Sequence, residues 1–482
     1  MEKILLSSAT ELARAIRHRE LTSKEVVEAH LALIRDVNPV LNAVVYDLED
    51  SARRMAEEAD AAVQRGADLP PLHGVPCTIK ESFALAGTPQ TSGVVARIGL
   101  RSTENATTVD RLLEAGAIPL GKTNVSELCM WMEGNNRVYG RTNNPYDPRR
   151  IVGGSSSGEG AIVGAGGSPF GLGSDIGGSI RMPAFFNGVF GVKVTGGRIP
   201  NTGQYPEAHG PSARYCCTGP IARRAEDLHL LVSIMQGPDG KCEGATRAMP
   251  LGDPRSVAID SLEVLVVEDD GRTFVHPELR KAQSRAAKVL EARGARVRKA
   301  KIPGLERSLE IWSSMLQTRG AGSFAELLAQ GKVGGFQFGR EIARWLAGQS
   351  DHTLPAIILG GLESITNAMP DRQAEMVALG EELRERIVRE IGERGVMLYP
   401  SHAMPAPLHY QPLLFPVMWV YTAILNVLEL PVTQVPLGFA KSGAPLGVQV
   451  AAVHENDHLT LAVALELERS FGGWTPPPRM AR

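Results

Sequence analysis

Residues 153–197 read GGSSSGEGAIVGAGGSPFGLGSDIGGSIRMPAFFNGVFGVKVTGG. Fifteen of these 45 residues are glycine, against 36 in the other 437. Glycine supplies unusual backbone angles and close approach, so a cluster this dense calls for a backbone reason. Two serine-bearing turns punctuate it, Gly153-Gly-Ser-Ser-Ser-Gly158 and Gly173-Ser-Asp-Ile-Gly-Gly-Ser179-Ile-Arg181. The apolar Ala161-Ile-Val163 between them demands burial and argues against a flexible linker.

Working outward, strands and helices alternate around this block. Pro76-Cys-Thr-Ile-Lys80 is short, β-prone and apolar, a buried strand whose end presents Lys80. Thr108–Ala115 reads as a helix and Ala117–Leu120 as a short strand. Leu262–Glu268, His276–Arg293 and Ala295–Lys301 read as strand, helix and strand. Val396–Pro400 is a strand, and Pro431–Leu437 with Leu446–Ala452 a hairpin around Lys441-Ser-Gly443. Asp457 caps a last helix to Phe471. At the N-terminus, Ser8 with Glu11 and Thr22 with Glu25 form capping boxes. Asn38-Pro39 is expected to stop the second helix, and a third covers about Asp47–Arg65. The β-α-β rhythm predicts one large α/β domain with a helical insertion.

Bulk properties narrow the function. The chain has 482 residues, 51 Lys plus Arg and 53 Asp plus Glu, for a net charge of -2. No global positive field exists to hold nucleic acid. No apolar run reaches membrane-span or signal-peptide length. Five cysteines, Cys77, Cys129, Cys216, Cys217 and Cys242, include no CxxC pair and no disulfide framework. They predict buried thiols in a reducing, cytoplasmic setting, and no metal or cofactor site is expected.

Three motif readings compete. Gly116-Ala-Ile-Pro-Leu-Gly121-Lys122-Thr123 fits a phosphate-binding loop, but a helix precedes it and its variable positions are strand-like. A nucleotide-binding protein built on it is the alternative from another class. Gly154-Ser155-Ser156-Ser157-Gly158 fits a nucleophile elbow with Ser156 as nucleophile. His402 is then the better candidate among His209, His276 and His402. The third reading joins two serines, Ser155 and Ser179, with Lys80.

On that combination the chain resembles the amidase signature family. Gly153–Gly160, Ser174–Pro183, the upstream Lys80 and Gly116–Asn124 carry the resemblance, in the expected order and spacing. It covers at least residues 65–220 and extends to both ends. Within the family the chain looks most like fatty acid amide hydrolases, type 2 in particular. Arg181–Gly191, Tyr399–Pro407 and Asn456–Trp474 carry that closer likeness. The N-terminal membrane segment of that enzyme has no counterpart here, so a soluble relative is expected.

The resemblance implies one α/β/α domain over residues 1–482, with a central mixed β-sheet flanked by helices. N-terminal helices occupy 1–65, the signature core 66–225, and a helical insertion 304–395, either a lid or a homodimer surface. It implies a serine amidohydrolase acting on hydrophobic amides such as acyl anilides or fatty acyl amides, with esters and aryl carbamates as further substrates. A glutamyl-tRNA amidotransferase-type subunit is the alternative within the family. Ser179 is implied as nucleophile, Ser155 as bridging relay after a cis Gly154–Ser155 bond, and Lys80 as base.

A hydroxyl needs such a base, and burial of Lys80 beside Cys77 and Ile79 favours its neutral form. Backbone N–H groups of Ile176, Gly177, Gly178 and Ser179 are the expected oxyanion donors. Asp175 and Arg181 are expected to support the loop. Cys129-Met-Trp-Met132 is the expected acyl pocket, because Met and Trp make an adaptable apolar wall.

Overall fold

Eleven strands form the main sheet, and a second, two-stranded sheet pairs Asn135–Asn136 with Gly140–Arg141. In this computed structural model residues 2–241, 246–318, 323–331, 335–366 and 370–478 are described. The strands are β1 (Val44–Asp47), β2 (Val75–Lys80), β3 (Ala117–Thr123), β4 (Phe170–Asp175), β5 (Phe190–Lys193) and β6 (Cys217–Ala222). They continue with β7 (Glu263–Val266), β8 (Arg296–Lys299), β9 (Gly395–Tyr399), β10 (Val432–Phe439) and β11 (Pro445–Ala452). Their order is β1-β3-β2-β4-β6-β5-β10-β11-β9-β7-β8. Parallel pairs β3-β2-β4 and β9-β7-β8 lie to either side of an antiparallel middle. This is the mixed, helix-flanked sheet that the sequence predicts.

The inner strands are apolar and buried along their whole length, as in β2, β3, β4 and β6, which is the pattern of a sheet covered on both faces. One apolar cluster runs from Leu12 and Val26 through Phe185 and Val192 to Val264, Val450 and Leu467. A second gathers Leu31, Ile118, Ile162 and Ile180.

Both N-terminal capping boxes form, at Ser8 and at Thr22. The second of these helices runs through Pro39 to Leu41. A proline in the last turn deprives only the Arg35 carbonyl of its donor, so the helix continues. Asn42, at φ 49°, closes it instead. The predicted strand 117–120 extends to Thr123, so Gly121-Lys122-Thr123 lie in the sheet. The last helix is Asp457–Phe471 with Asn456 as its cap. Asp457 instead accepts from the Thr195 N–H at 2.9 Å and the Thr195 hydroxyl at 2.6 Å. Among the described residues no helix is long and apolar enough to cross a membrane. Cys242 lies outside the described residues.

Helix α1 (Ser157–Gly164) carries Glu159 against the sheet, wholly buried. Thr78 Oγ1 donates to its carboxyl at 2.6 Å and Thr123 Oγ1 at 2.8 Å. Burial pushes this carboxyl up from 4.5 to about 8, against the two hydroxyl bonds and the charge of Lys80. The folded protein therefore binds a proton there that the unfolded chain releases. Glu159's share of stability is complete below about pH 4.5 and is lost as pH rises through about 8. Glu159→Gln, neutral at every pH, is expected to flatten the decline in melting temperature between pH 5 and 8. Parallel declines in variant and wild type would contradict this.

Candidate active site

The end of β2 delivers a lysine into the interior. Lys80 has no solvent exposure, and its Nζ donates to Ser155 Oγ and to Ser174 Oγ, each at 2.8 Å. Strand β4, parallel to β2, brings Ser174 there: Ile79 pairs with Leu172, so Ser174 lies just beyond Lys80. Among the described residues no carboxylate pairs with this amine.

Ser155 lies in the turn before α1. The Gly154–Ser155 peptide bond is cis. A Cβ on Gly154 would lie 2.2 Å from the Trp131 carbonyl oxygen, so only glycine fits. The Ser156 N–H donates to the Ser179 carbonyl at 3.2 Å and joins the two serine turns directly. Ser179 is nearly buried, and among the described residues its hydroxyl has no hydrogen-bond partner.

Asp175 organises the loop from Ile176 to Ile180. Its carboxylate accepts from the N–H groups of Gly178 at 2.7 Å and Ile180 at 3.1 Å. It also takes Arg181 Nε at 3.0 Å and Nη2 at 2.9 Å. Burial alone would raise this carboxyl; the Arg181 charge and the hydrogen bonds overcome it and hold it well below the usual range. The expected oxyanion set needs one correction. The Gly178 N–H points to Asp175, because the positive φ of 117° at this glycine turns its amide inward. The N–H groups of Ile176, Gly177 and Ser179 have no acceptor among the described residues.

Two residues that sequence reasoning missed complete this support. Asn426, on helix α2 (Val420–Val427), donates to the Asp175 carbonyl at 2.8 Å and carboxylate at 2.9 Å, and accepts from Arg181 Nη2 at 2.5 Å. Gln449 of β11 accepts from Arg181 Nη1 at 2.7 Å. Ser174 is the third omission. Its only signal was its place one residue before Asp175 in the second serine turn.

The expected pocket segment lies beside Gly154. Cys129, Met130 and Trp131 are half-buried and Met132 is buried. Beside the second serine turn, the indoles of Trp312 and Trp419 meet edge to face at 4.9 Å and border Gly177. Trp312 Nε1 donates to the Ile176 carbonyl at 2.9 Å.

The sequence profile of the Amidase family matches residues 25–461. The chain belongs to the amidase signature family. It is 44% identical over 98% of its length to Fatty-acid amide hydrolase 2-A of Danio rerio, covering 90% of that protein. It is 42% identical over 99% of its length to Fatty-acid amide hydrolase 2 of Homo sapiens, covering 91% of it. The solved 6-aminohexanoate cyclic dimer hydrolase superposes with a TM-score of 0.82 at 27% identity, over 99% of each chain. As a member of this family the protein is an amide hydrolase.

The competing motifs have structural uses in this amidase. Gly116–Thr123 is no phosphate loop: residues 117–123 are a buried strand, and Lys122 Nζ is bonded to the Pro89 carbonyl. Burial lowers the Lys122 ammonium to about 8, against the attraction of Glu81. The elbow pairing also fails. Ser156 Oγ faces the Ser174 backbone, while His402 Nδ1 faces the Met404 backbone and its ring packs against Phe186. Burial lowers the His402 imidazole to about 4.

Asn426→Ala would leave Arg181 and Asp175 short of partners. A loss of the order of 1–3 kcal/mol per unsatisfied buried group is expected in denaturant melts. Wild-type stability in this variant would show that the network does not depend on Asn426.

Proposed function

We propose that this amidase hydrolyses hydrophobic carboxylic amides through an acyl-enzyme on Ser179, with Ser155 as relay and Lys80 as base. One observation carries the reading. A fully buried amine without a carboxylate partner lies 2.8 Å from Ser155, whose turn is bonded to that of Ser179. The two serine hydroxyls are the groups that the amine reaches, which supports a relay between Lys80 and Ser155.

As Ser179 Oγ attacks the amide carbonyl, its proton passes to Ser155 and that of Ser155 to Lys80. The tetrahedral oxyanion takes its donors from the uncommitted N–H groups of Ile176, Gly177 and Ser179, each worth about 3 kcal/mol of barrier. The proton returns through Ser155 to the leaving nitrogen, the C–N bond breaks, and the acyl group stays on Ser179. Water then attacks the ester by the same route, releasing the carboxylic acid and restoring Ser179. Esters and aryl carbamates present the same carbonyl and enter the same sequence.

Cys129–Met132 form the acyl wall and the Trp312–Trp419 pair a second one. Both are apolar, which suits fatty acyl or aryl groups. The likeness to fatty-acid amide hydrolases over nearly the whole chain supports free hydrolysis over ammonia transfer to a partner. The four thiols of the described residues are unbridged, in keeping with a reducing, cytoplasmic compartment.

A fluorophosphonate probe is expected to label wild type at Ser179 and to leave Ser179→Ala unlabelled. Label on Ser156 would restore the elbow reading. Lys80→Ala is expected to lower hydrolysis of an acyl p-nitroanilide by about 10²–10⁴-fold or more. Near-full activity in that variant would remove Lys80 from its role.

A further inference from the structure

The segment before the acyl wall carries a carboxylate that the mechanism does not use. Glu127 is almost wholly buried, yet neither carboxylate oxygen bonds within its own loop. Both reach across to the segment that starts helix α3 (Leu354–Thr366). Oε1 lies 2.7 Å from His352 Nδ1, and Oε2 accepts the Thr353 N–H at 2.7 Å. Beside this contact, Leu128 packs with Val94, Phe324, Leu328 and Ala356, three of which belong to the helices past residue 304.

The two residues after Glu127 are held in an unusual backbone. Leu128 and Cys129 have φ of 52° and 58°, the left-handed region that side chains with a Cβ avoid. Such a conformation persists only where its surroundings impose it. On one side the loop is fixed: Ser126 Oγ donates to the Trp131 and Glu133 carbonyls, and the Trp131 carbonyl leaves no room at Gly154. The wall therefore cannot relax toward the serines. Outward, the Glu127 bonds and the Leu128 packing restrain it, together with the Leu128 N–H, which donates to the Ser92 carbonyl at 2.9 Å.

We infer that Glu127 is a positioning residue that clamps the 354–366 helix onto the 129–132 wall and thereby sets the acyl groups the pocket accepts. The inference rests on the acyl-wall reading of Cys129–Met132. Releasing the clamp lets Leu128 and Cys129 return to ordinary backbone angles and moves the wall outward. A long acyl chain, which needs the whole wall, then loses more binding than a short one.

The test uses the full-length enzyme and two substrates, the acetyl and decanoyl p-nitroanilides. The quantity read is the decanoyl-to-acetyl ratio of kcat/KM. Glu127→Ala is expected to lower this ratio by about tenfold or more, chiefly through the decanoyl KM. Glu127→Gln keeps one oxygen to accept the Thr353 N–H and offers an amide N–H to a neutral His352 Nδ1, and is expected to retain a ratio near that of wild type. His352→Ala, which leaves the wall's own sequence intact, repeats the measurement from the other side of the clamp and is expected to lower the ratio as well. Wild type that is labelled at Ser179 but shows no chain-length preference would overturn the inference. So would an unchanged ratio in both alanine variants, or a fall shared equally by the two substrates. Wild type without any label at Ser179 would instead defeat the catalytic reading beneath it.

Discussion

A lysine amine shut away from water must be hydrogen-bonded, and among the described residues Lys80 bonds only hydroxyl groups. That constraint accounts for much of the arrangement around it. Two strands must run parallel so that Ser174 follows the end of β2, and the Gly154 turn must bring Ser155 to the same point. Glu159, the buried acid on α1, is kept neutral by its own burial, which outweighs the two threonine hydroxyls that donate to it. Lys80 and Glu159 thus belong to different hydrogen-bond sets, the amine on two serine hydroxyls and the carboxyl on two threonine hydroxyls.

The loop after β4 solves a different problem, that of holding a buried turn in one shape. Asp175 does this by taking two of the loop's amides for itself, those of Gly178 and Ile180. The carboxylate is affordable in the interior because Arg181 neutralises it and Asn426 and Gln449 satisfy the remaining atoms. The shape of the Ile176–Ile180 turn thus rests on a hydrogen-bonded polar cluster behind it.

What the sequence made legible follows from locality. Lys80, Ser155, Ser179, Asp175 and Arg181 stand in short runs whose residue types announce strand ends and glycine turns. The mixed sheet follows from strand and helix runs that each fit one period. Asn426 and Gln449 were invisible because nothing local marks them: each is a polar residue in a mostly apolar helix or strand, 245 and 268 residues from Arg181. Ser174 was overlooked because strand pairing, not spacing, brings it to Lys80. The oxyanion set was overcounted by one for a similar reason. Sequence shows which residues have an N–H, while the sign of φ at Gly178 decides where it points.

The cluster around Arg181 also has a bearing on biosynthesis. Lys80, Ser155 and Ser179 all lie within the first 180 residues, yet two of the side chains that bond Arg181 stand on α2 and β11. A polypeptide emerging from the ribosome therefore carries both serine turns long before these partners of Arg181, and the cluster behind the second turn can close only after β11 has been made.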